Sequence, residues 1–402
     1  MTVIPRPTWL TPRVLTYLRW TALAVWAIAF GYDIDQNGIP YWRSDLLLWL
    51  AIGLVAWSIG KRNVLTVVVD FVPFAAVLVV YDYLRGISDT LGMPTWWHPQ
   101  IDVDKFLFFG TEPTVWLQAH LRYPDVRWWD VGVGLCYISF FFLPYVTAAA
   151  LWLRSRQDFY RWTLRFVPLS FLAFTCFALI PAAPPWAAAR CAPQEVAGHP
   201  NDPSCMYYST RTDDGLLGQM THNRAGTHAW IDQIATRGLG PLHLKFAQQV
   251  IDAGRISADA VAAVPSLHAG GIMLFSIFMW RRVNKWWRPV LVAYPLFMGF
   301  TLVYAAEHYV SDVLAGWLCA VLVHLAATRI ERWRRQRRAL VRLDTQNSRS
   351  KTVENPCPPT SPPLPETTPS SISASAADSS TPPARSTAAP DRPGTTAHSA
   401  SS

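Results

Sequence analysis

Residues 308–335 read HYVSDVLAGWLCAVLVHLAATRIERWRR: a short polar opening, an apolar run as far as Thr328, then a cluster of arginines. The apolar run is close to the roughly 20 residues a helix needs to cross hydrocarbon, and Lys and Arg gather at the cytoplasmic ends of such helices. The stretch therefore predicts a membrane-spanning α-helix with His308, Tyr309 and Asp312 at its polar end. A second polar cluster, Pro265-Ser266-Leu267-His268, opens another apolar run. Ionisable side chains are costly at membrane depth, and that cost marks them as functional candidates.

The rest of the chain agrees with the membrane reading. Hydrophobic residues make up 51% and charged residues only 15% of its 402 residues, where a water-soluble domain carries about a quarter charged. The 20 Trp and 14 Tyr suit bilayer interfaces. Apolar runs recur at 15–32, 46–60, 64–84, 131–153, 164–180, 264–280, 290–306 and 309–328. The expected fold class is all-α, an integral membrane bundle of about eight transmembrane helices with a disordered C-terminal tail. Its expected organisation is N-terminal transmembrane helices over 1–60, a catalytic membrane domain over 61–330, and a basic segment with a cytoplasmic tail over 331–402.

Basic residues set the expected orientation. Arg6, Arg13 and Arg19 lie at the first run, Lys61 and Arg62 between the second and third, and Arg154, Arg156, Arg161 and Arg165 between the fourth and fifth. Arg281, Arg282, Lys285 and Arg288 separate the sixth from the seventh, and Arg329 to Arg338 follow the eighth. With alternating spans all these clusters fall on one side, so both termini are expected in the cytoplasm and segments 85–128 and 181–263 outside. The expected location is the plasma membrane, as a multi-pass protein with an extracytoplasmic active site. The net charge of +8 is accounted for by this anchoring, so no nucleic-acid partner is expected. The first run lacks a small-residue cleavage site and reads as an uncleaved anchor. From Arg342 onward Pro, Ser, Thr and Ala dominate, a composition too polar to offset the entropy of ordering.

Cys136, Cys176 and Cys319 fall inside apolar runs and read as small buried residues. Cys191 and Cys205 lie in the large outer segment, where an oxidising compartment permits a disulfide; two separate thiols are the alternative. His222, His228 and His243 in that segment lack the spacing of a zinc site. Asp70, inside the third run, reads as an interhelical hydrogen-bond partner, with a relay role as the alternative. Segment 95–128, rich in Trp and Phe but not continuously apolar, is expected to lie along the outer interface.

In the two polar clusters, His308 and Asp312 are four residues apart and share a helix face. The carboxylate is placed to accept a hydrogen bond from one ring nitrogen and leave the other to act as nucleophile or base. Pro265 fits a first helical turn, and the amides of Ser266, Leu267 and His268 would form the positive, phosphate-binding end of a helix. Each cluster alone reads first as structural, a satisfied polar pair in one case and a helix opener in the other. Together, at the same face, they point to one pocket with His268 as the complementary acid.

Pro265-Ser266-Leu267-His268 and His308-Tyr309-xx-Asp312 resemble the second and third signature motifs of the phosphatidic acid phosphatase type 2 superfamily of lipid phosphatases and phosphotransferases. The leucine in PSLH and the HYxxD form are similar to the branch that contains inositol phosphorylceramide synthase, the aureobasidin target. Asp102 to Gln118 and Pro181 to Trp186 look like that branch too, and the likeness covers roughly residues 60 to 325. The resemblance implies phosphoryl transfer without metal or organic cofactor. His308 attacks phosphorus to form a phosphohistidine, Asp312 orients it, His268 protonates the leaving oxygen, and Ser266 and Tyr309 lie at the phosphate. The implied partners are a lipid phosphate, the bilayer, and an inositol or sugar alcohol as acceptor.

The superfamily's first motif is missing, and Leu302 stands where an arginine is expected six positions before His308. Arg85 is the leading candidate to meet the phosphate charge, with Arg190, Lys245 and Arg255 as alternatives. A transferase is the favoured expectation. A phosphatase for a polyprenyl or glycerolipid phosphate needs the same residues, and a non-catalytic transporter or scaffold is the reading from another class.

Overall fold

The computed structural model describes residues 11–37, 43–61, 63–84, 91–198, 201, 203–208, 215–220, 223–242 and 261–354. The chain divides into two units, Met1–Leu340 and Val341–Ser402.

Each of the eight apolar runs forms a helix. They are α1 (Pro12–Asn37), α2 (Arg43–Ser58) and α3 (Val64–Leu84), then, after two short helices α4 (Pro99–Leu107) and α5 (Pro113–Leu121), α6 (Trp128–Arg154) and α7 (Arg156–Leu179). α8 (Leu267–Met279), α9 (Arg288–Tyr304) and α10 (Val310–Glu354) complete the set. No strand forms among the described residues, and four segments, in α1, α6, α7 and α10, are long and apolar enough to cross a membrane. The protein is a multi-pass membrane helical bundle.

α4 and α5 occupy the stretch read from sequence as lying at the interface. Pro99 starts the first at a position where a missing N–H costs nothing. Phe109 (φ 54°) and Gly110 (φ 89°) then reverse the chain. Glu112 caps α5 by accepting a hydrogen bond from the Val115 amide at 2.9 Å, with Pro113 in the first turn. Phe106 and Phe109 point outward at 83% and 98% exposure, as aromatic anchors at a bilayer surface do.

α10 departs from expectation at its end, because it remains helical to Glu354, past the change in composition at Arg342. Residues 331–344 are rich in strong helix formers, and Glu331 pairs with Arg335 one turn on. The rest of the expected disordered tail lies outside the described residues.

Two apolar clusters hold the bundle. One joins α6, α8, α9 and α10 through Val133, Tyr137, Ile272, Leu302 and Val313. The other joins α2, α3, α6, α7, α8 and α10 around Phe74, Trp152, Trp162 and Phe278. Asp70 is a structural node within the second, accepting from Trp152 Nε1 (2.8 Å), Arg156 Nε (2.9 Å) and Tyr160 Oη (2.6 Å). At one end of the bundle Arg282 pairs with Asp158, and Arg161 and Arg165 with Glu331. Three of the basic clusters read from sequence thus meet there. The two histidine clusters lie at the opposite end of α8, about 20 Å away at 1.5 Å per residue.

Candidate active site

The loop between α9 and α10 is tightly fixed. Ala306 sits at φ 62°, in the left-handed region that a residue with a side chain enters at a cost of roughly 1–2 kcal/mol. The turn is held because the Leu302 carbonyl accepts from the amides of Glu307 (2.9 Å) and His308 (3.3 Å), and the Ala306 carbonyl from the Trp186 amide (3.1 Å). Such strain persists where the surroundings over-determine it, commonly at functional sites. Leu302 itself is fully buried in the core, so the position where a motif arginine was sought offers no charge.

His308 leaves this loop two residues before α10 begins, and not from within the helix as its spacing suggested. Its Nδ1 is 3.0 Å from the carbonyl of Ala263 and 3.6 Å from Asp312 Oδ2. The second distance is beyond hydrogen-bond range. The tautomer-fixing acceptor is thus a backbone carbonyl, while Asp312 Oδ2 accepts from the Tyr309 amide at 2.9 Å. Asp312 and Tyr309 are both fully buried. Ala263 is positioned by a three-segment clip in which Ala182 pairs on one side with Trp96 and on the other with Ala262. Pro181 to Trp186, singled out in sequence, supplies the middle of that clip.

On α8 the helix begins at Leu267, two residues after the Pro265 start read from sequence. Ser266 is the N-cap, its hydroxyl accepting from the Ala269 amide at 3.3 Å. Its own amide donates to the Asp312 carbonyl at 3.0 Å, so it is not an open phosphate donor. That bond ties the two clusters together. α8 and α10 also touch at glycine: a Cβ on Gly316 would collide with the Ser266 carbonyl oxygen, and one on Gly270 would lie 2.9 Å from the Gly316 carbonyl. Small residues at helix crossings allow this approach in membranes. His268, on the first turn of α8, lies between Tyr137, Phe140 and Phe141 of α6, with ring centroids 4.2–5.5 Å away. The His268 and His308 rings are 5.7 Å apart. The structure thus brings Ser266, His268, His308, Tyr309 and Asp312 into one place.

The other sequence candidates divide. Cys191 and Cys205 form a disulfide. Arg190 precedes it, 5.1 Å from the Trp186 ring centroid, on the turn that packs against the Ala306 loop. Arg85, Lys245 and Arg255 lie outside the described residues, as do His222 and His243. His228 is 2.7 Å from Asp232 and joins Arg122, which places it in a polar bridge and not at the histidine pair. Among the described residues no group of three or more His, Cys, Asp and Glu is set to hold a metal ion.

Sequence reasoning missed Asp104. This fully buried carboxylate on α4 accepts from the amides of Val310 (2.8 Å) and Ser311 (2.9 Å), the first turn of α10. Burial raises its pKa, and those two hydrogen bonds oppose the rise. Nearby Glu112 is pushed up to about 7, chiefly by burial, partly offset by the Val115 amide, with the Asp104 charge adding to the rise. The signal was available as an acidic residue inside a stretch already singled out, but its partners are 206 and 207 positions away.

Comparison with known proteins gives a consistent picture. The family model described as the PAP2 superfamily matches residues 101–326. A phosphoinositol dihydroceramide synthase of Bacteroides thetaiotaomicron is 25% identical over 289 residues, covering 70% of this chain and 82% of that protein. No solved structure matches the chain. Since the family match spans more than half of the residues and contains both histidine clusters, the chain belongs to the PAP2 superfamily, as a membrane enzyme of the lipid phosphatase and phosphotransferase class.

Proposed function

We propose that the protein transfers a phosphoryl-linked headgroup from a lipid to an alcohol through a phosphohistidine on His308, at the extracytoplasmic face. The observation that carries this reading is the fixed His308 ring. With Nδ1 donating to the Ala263 carbonyl at 3.0 Å, the neutral tautomer keeps its lone pair on Nε2. Nε2 attacks phosphorus as the lipid-side P–O bond breaks, and His268 gives the leaving oxygen its proton. Asp312, 3.6 Å from Nδ1, stabilises the positive charge that develops on the ring. The acceptor hydroxyl then attacks phosphorus, returns a proton to His268 and frees His308.

The phosphate charge needs a cation. Arg190 is supported by its place on the turn against the His308 loop, and Arg85 by its position after α3 in the sequence. Transfer to an alcohol is favoured over hydrolysis by the PSLH and HYxxD forms and by the synthase name of the relative. The test is product analysis by mass spectrometry, with lipid phosphates and phosphoinositol lipids as donors and inositol or a ceramide as acceptor. Acceptor-dependent product that disappears in His308→Ala supports a transferase. Free phosphate at an acceptor-independent rate would make the protein a phosphatase.

A further inference from the structure

A cavity of about 560 Å³ runs along the outer side of α10 and is separate from the histidine pair. Thr111 and Pro113 of the α4–α5 turn form its upper rim, Leu296 and Gly299 of α9 one wall, and Leu314 and Trp317 of α10 the other. It begins at Val310, two residues after His308, and descends to Trp317, about 10 Å of helix rise. Its volume lies in the range of small-molecule sites, roughly 300–1,000 Å³.

Its walls continue into a surface that faces lipid. Leu296 is 55% and Leu314 44% exposed, and below them Val292, Leu318, Leu322 and Leu325 are 47–59% exposed on the same two helices. Large apolar side chains so exposed on membrane helices contact acyl chains. The groove is therefore the upper end of a hydrocarbon-facing strip that finishes at the level of the catalytic loop. A chain lying in it brings its headgroup to the height of His308.

We propose that this groove holds a hydrocarbon chain of the lipid substrate, an assignment that rests on the functional reading above. Its contribution is orientation, because the surrounding bilayer is as apolar as the groove and no hydrophobic gain separates the two.

The test replaces Leu314 or Leu296 with Trp, each filling the groove from an exposed position that the fold tolerates. Leu318→Trp, exposed on α10 outside the groove, is the control. Turnover is measured on dioleoyl phosphatidic acid and on its water-soluble dihexanoyl analogue. The expected result is a kcat/KM for the long-chain lipid lowered about tenfold, with the short-chain ester unchanged and Leu318→Trp like the parent. Equal losses on both substrates, or none on either, would overturn the assignment.

If the parent protein turns over neither probe, the functional reading fails on those substrates, and the groove is judged by binding. A phosphatidic acid with a diazirine in its chain should then label the 310–317 segment, and Leu314→Trp should abolish that label. Labelling spread evenly over α3 and α10 would refute the site.

Discussion

Asp104→Asn separates the positioning of His308 from the stability of the fold. The Asp104 carboxylate holds the Val310 and Ser311 amides at 2.8 and 2.9 Å, and it is fully buried. Hydrogen bonds to a charged group contribute about 1.5–3 kcal/mol each. Asp104→Ala, which strands two part-buried amides, should therefore cost about 3 kcal/mol. Asn keeps one acceptor and removes the burial cost of the charge, so its net effect on stability should stay near 1 kcal/mol. Its NH₂ group, however, faces an amide donor, and the first turn of α10 must shift. A displacement of 1 Å at a reacting group costs about 100-fold in rate. Turnover and thermal unfolding are measured on the same detergent-purified samples. The expected pattern for Asn is a kcat about 100-fold lower, a Tm within a few degrees of the parent, and partial recovery in Asp104→Glu. A kcat within twofold of the parent in Asp104→Asn would refute the positioning role.

Other consequences follow from the same geometry. Glu112, raised from 4.5 to about 7 by burial, is ionised in the unfolded chain but protonated in the folded one between those values. Stability should therefore fall as pH rises through that window, by at most about 3 kcal/mol, and the fall should vanish in Glu112→Gln. An identical pH slope in parent and variant contradicts this. Gly316→Ala forces a Cβ into the Ser266 carbonyl and should cost about 1–3 kcal/mol with a marked loss of kcat, because it separates the helices carrying the two histidines; full activity at parental Tm would show that the crossing is loose. The Cys191–Cys205 disulfide closes a loop of sequence separation 14. Replacing both cysteines with Ala should lower stability by about 3 kcal/mol, read as a fall in Tm, whereas an unchanged Tm would remove the bond from the account.

The helices were legible because each apolar run is long and carries few charges, and hydrocarbon leaves the backbone no alternative. The nearness of His308 to Asp312 was legible in its spacing, since residues four apart come close whether the first lies in the helix or just before it, but the hydrogen bond expected between them does not form. What fixes the ring was not. Its acceptor is the Ala263 carbonyl, and a backbone oxygen leaves no mark on sequence. The N-cap role of Ser266 hid for a related reason: Pro265 suggested a helix start, but α8 begins at Leu267. Asp104 was visible as an acid in an unusual stretch, yet its partners lie in a segment more than 200 positions away. α4 and α5 were seen only as interfacial sequence, because each is nine residues long with polar and apolar residues mixed.

The central claim is that His308 carries the phosphoryl group. Rapid acid-free quenching of the enzyme with a ³²P-labelled lipid phosphate, followed by peptide mapping, tests it directly. The account predicts an acid-labile, base-stable label on the peptide containing His308, formed in the presence of EDTA and absent in His308→Ala. A label on another residue, or unchanged turnover in His308→Ala, would contradict it.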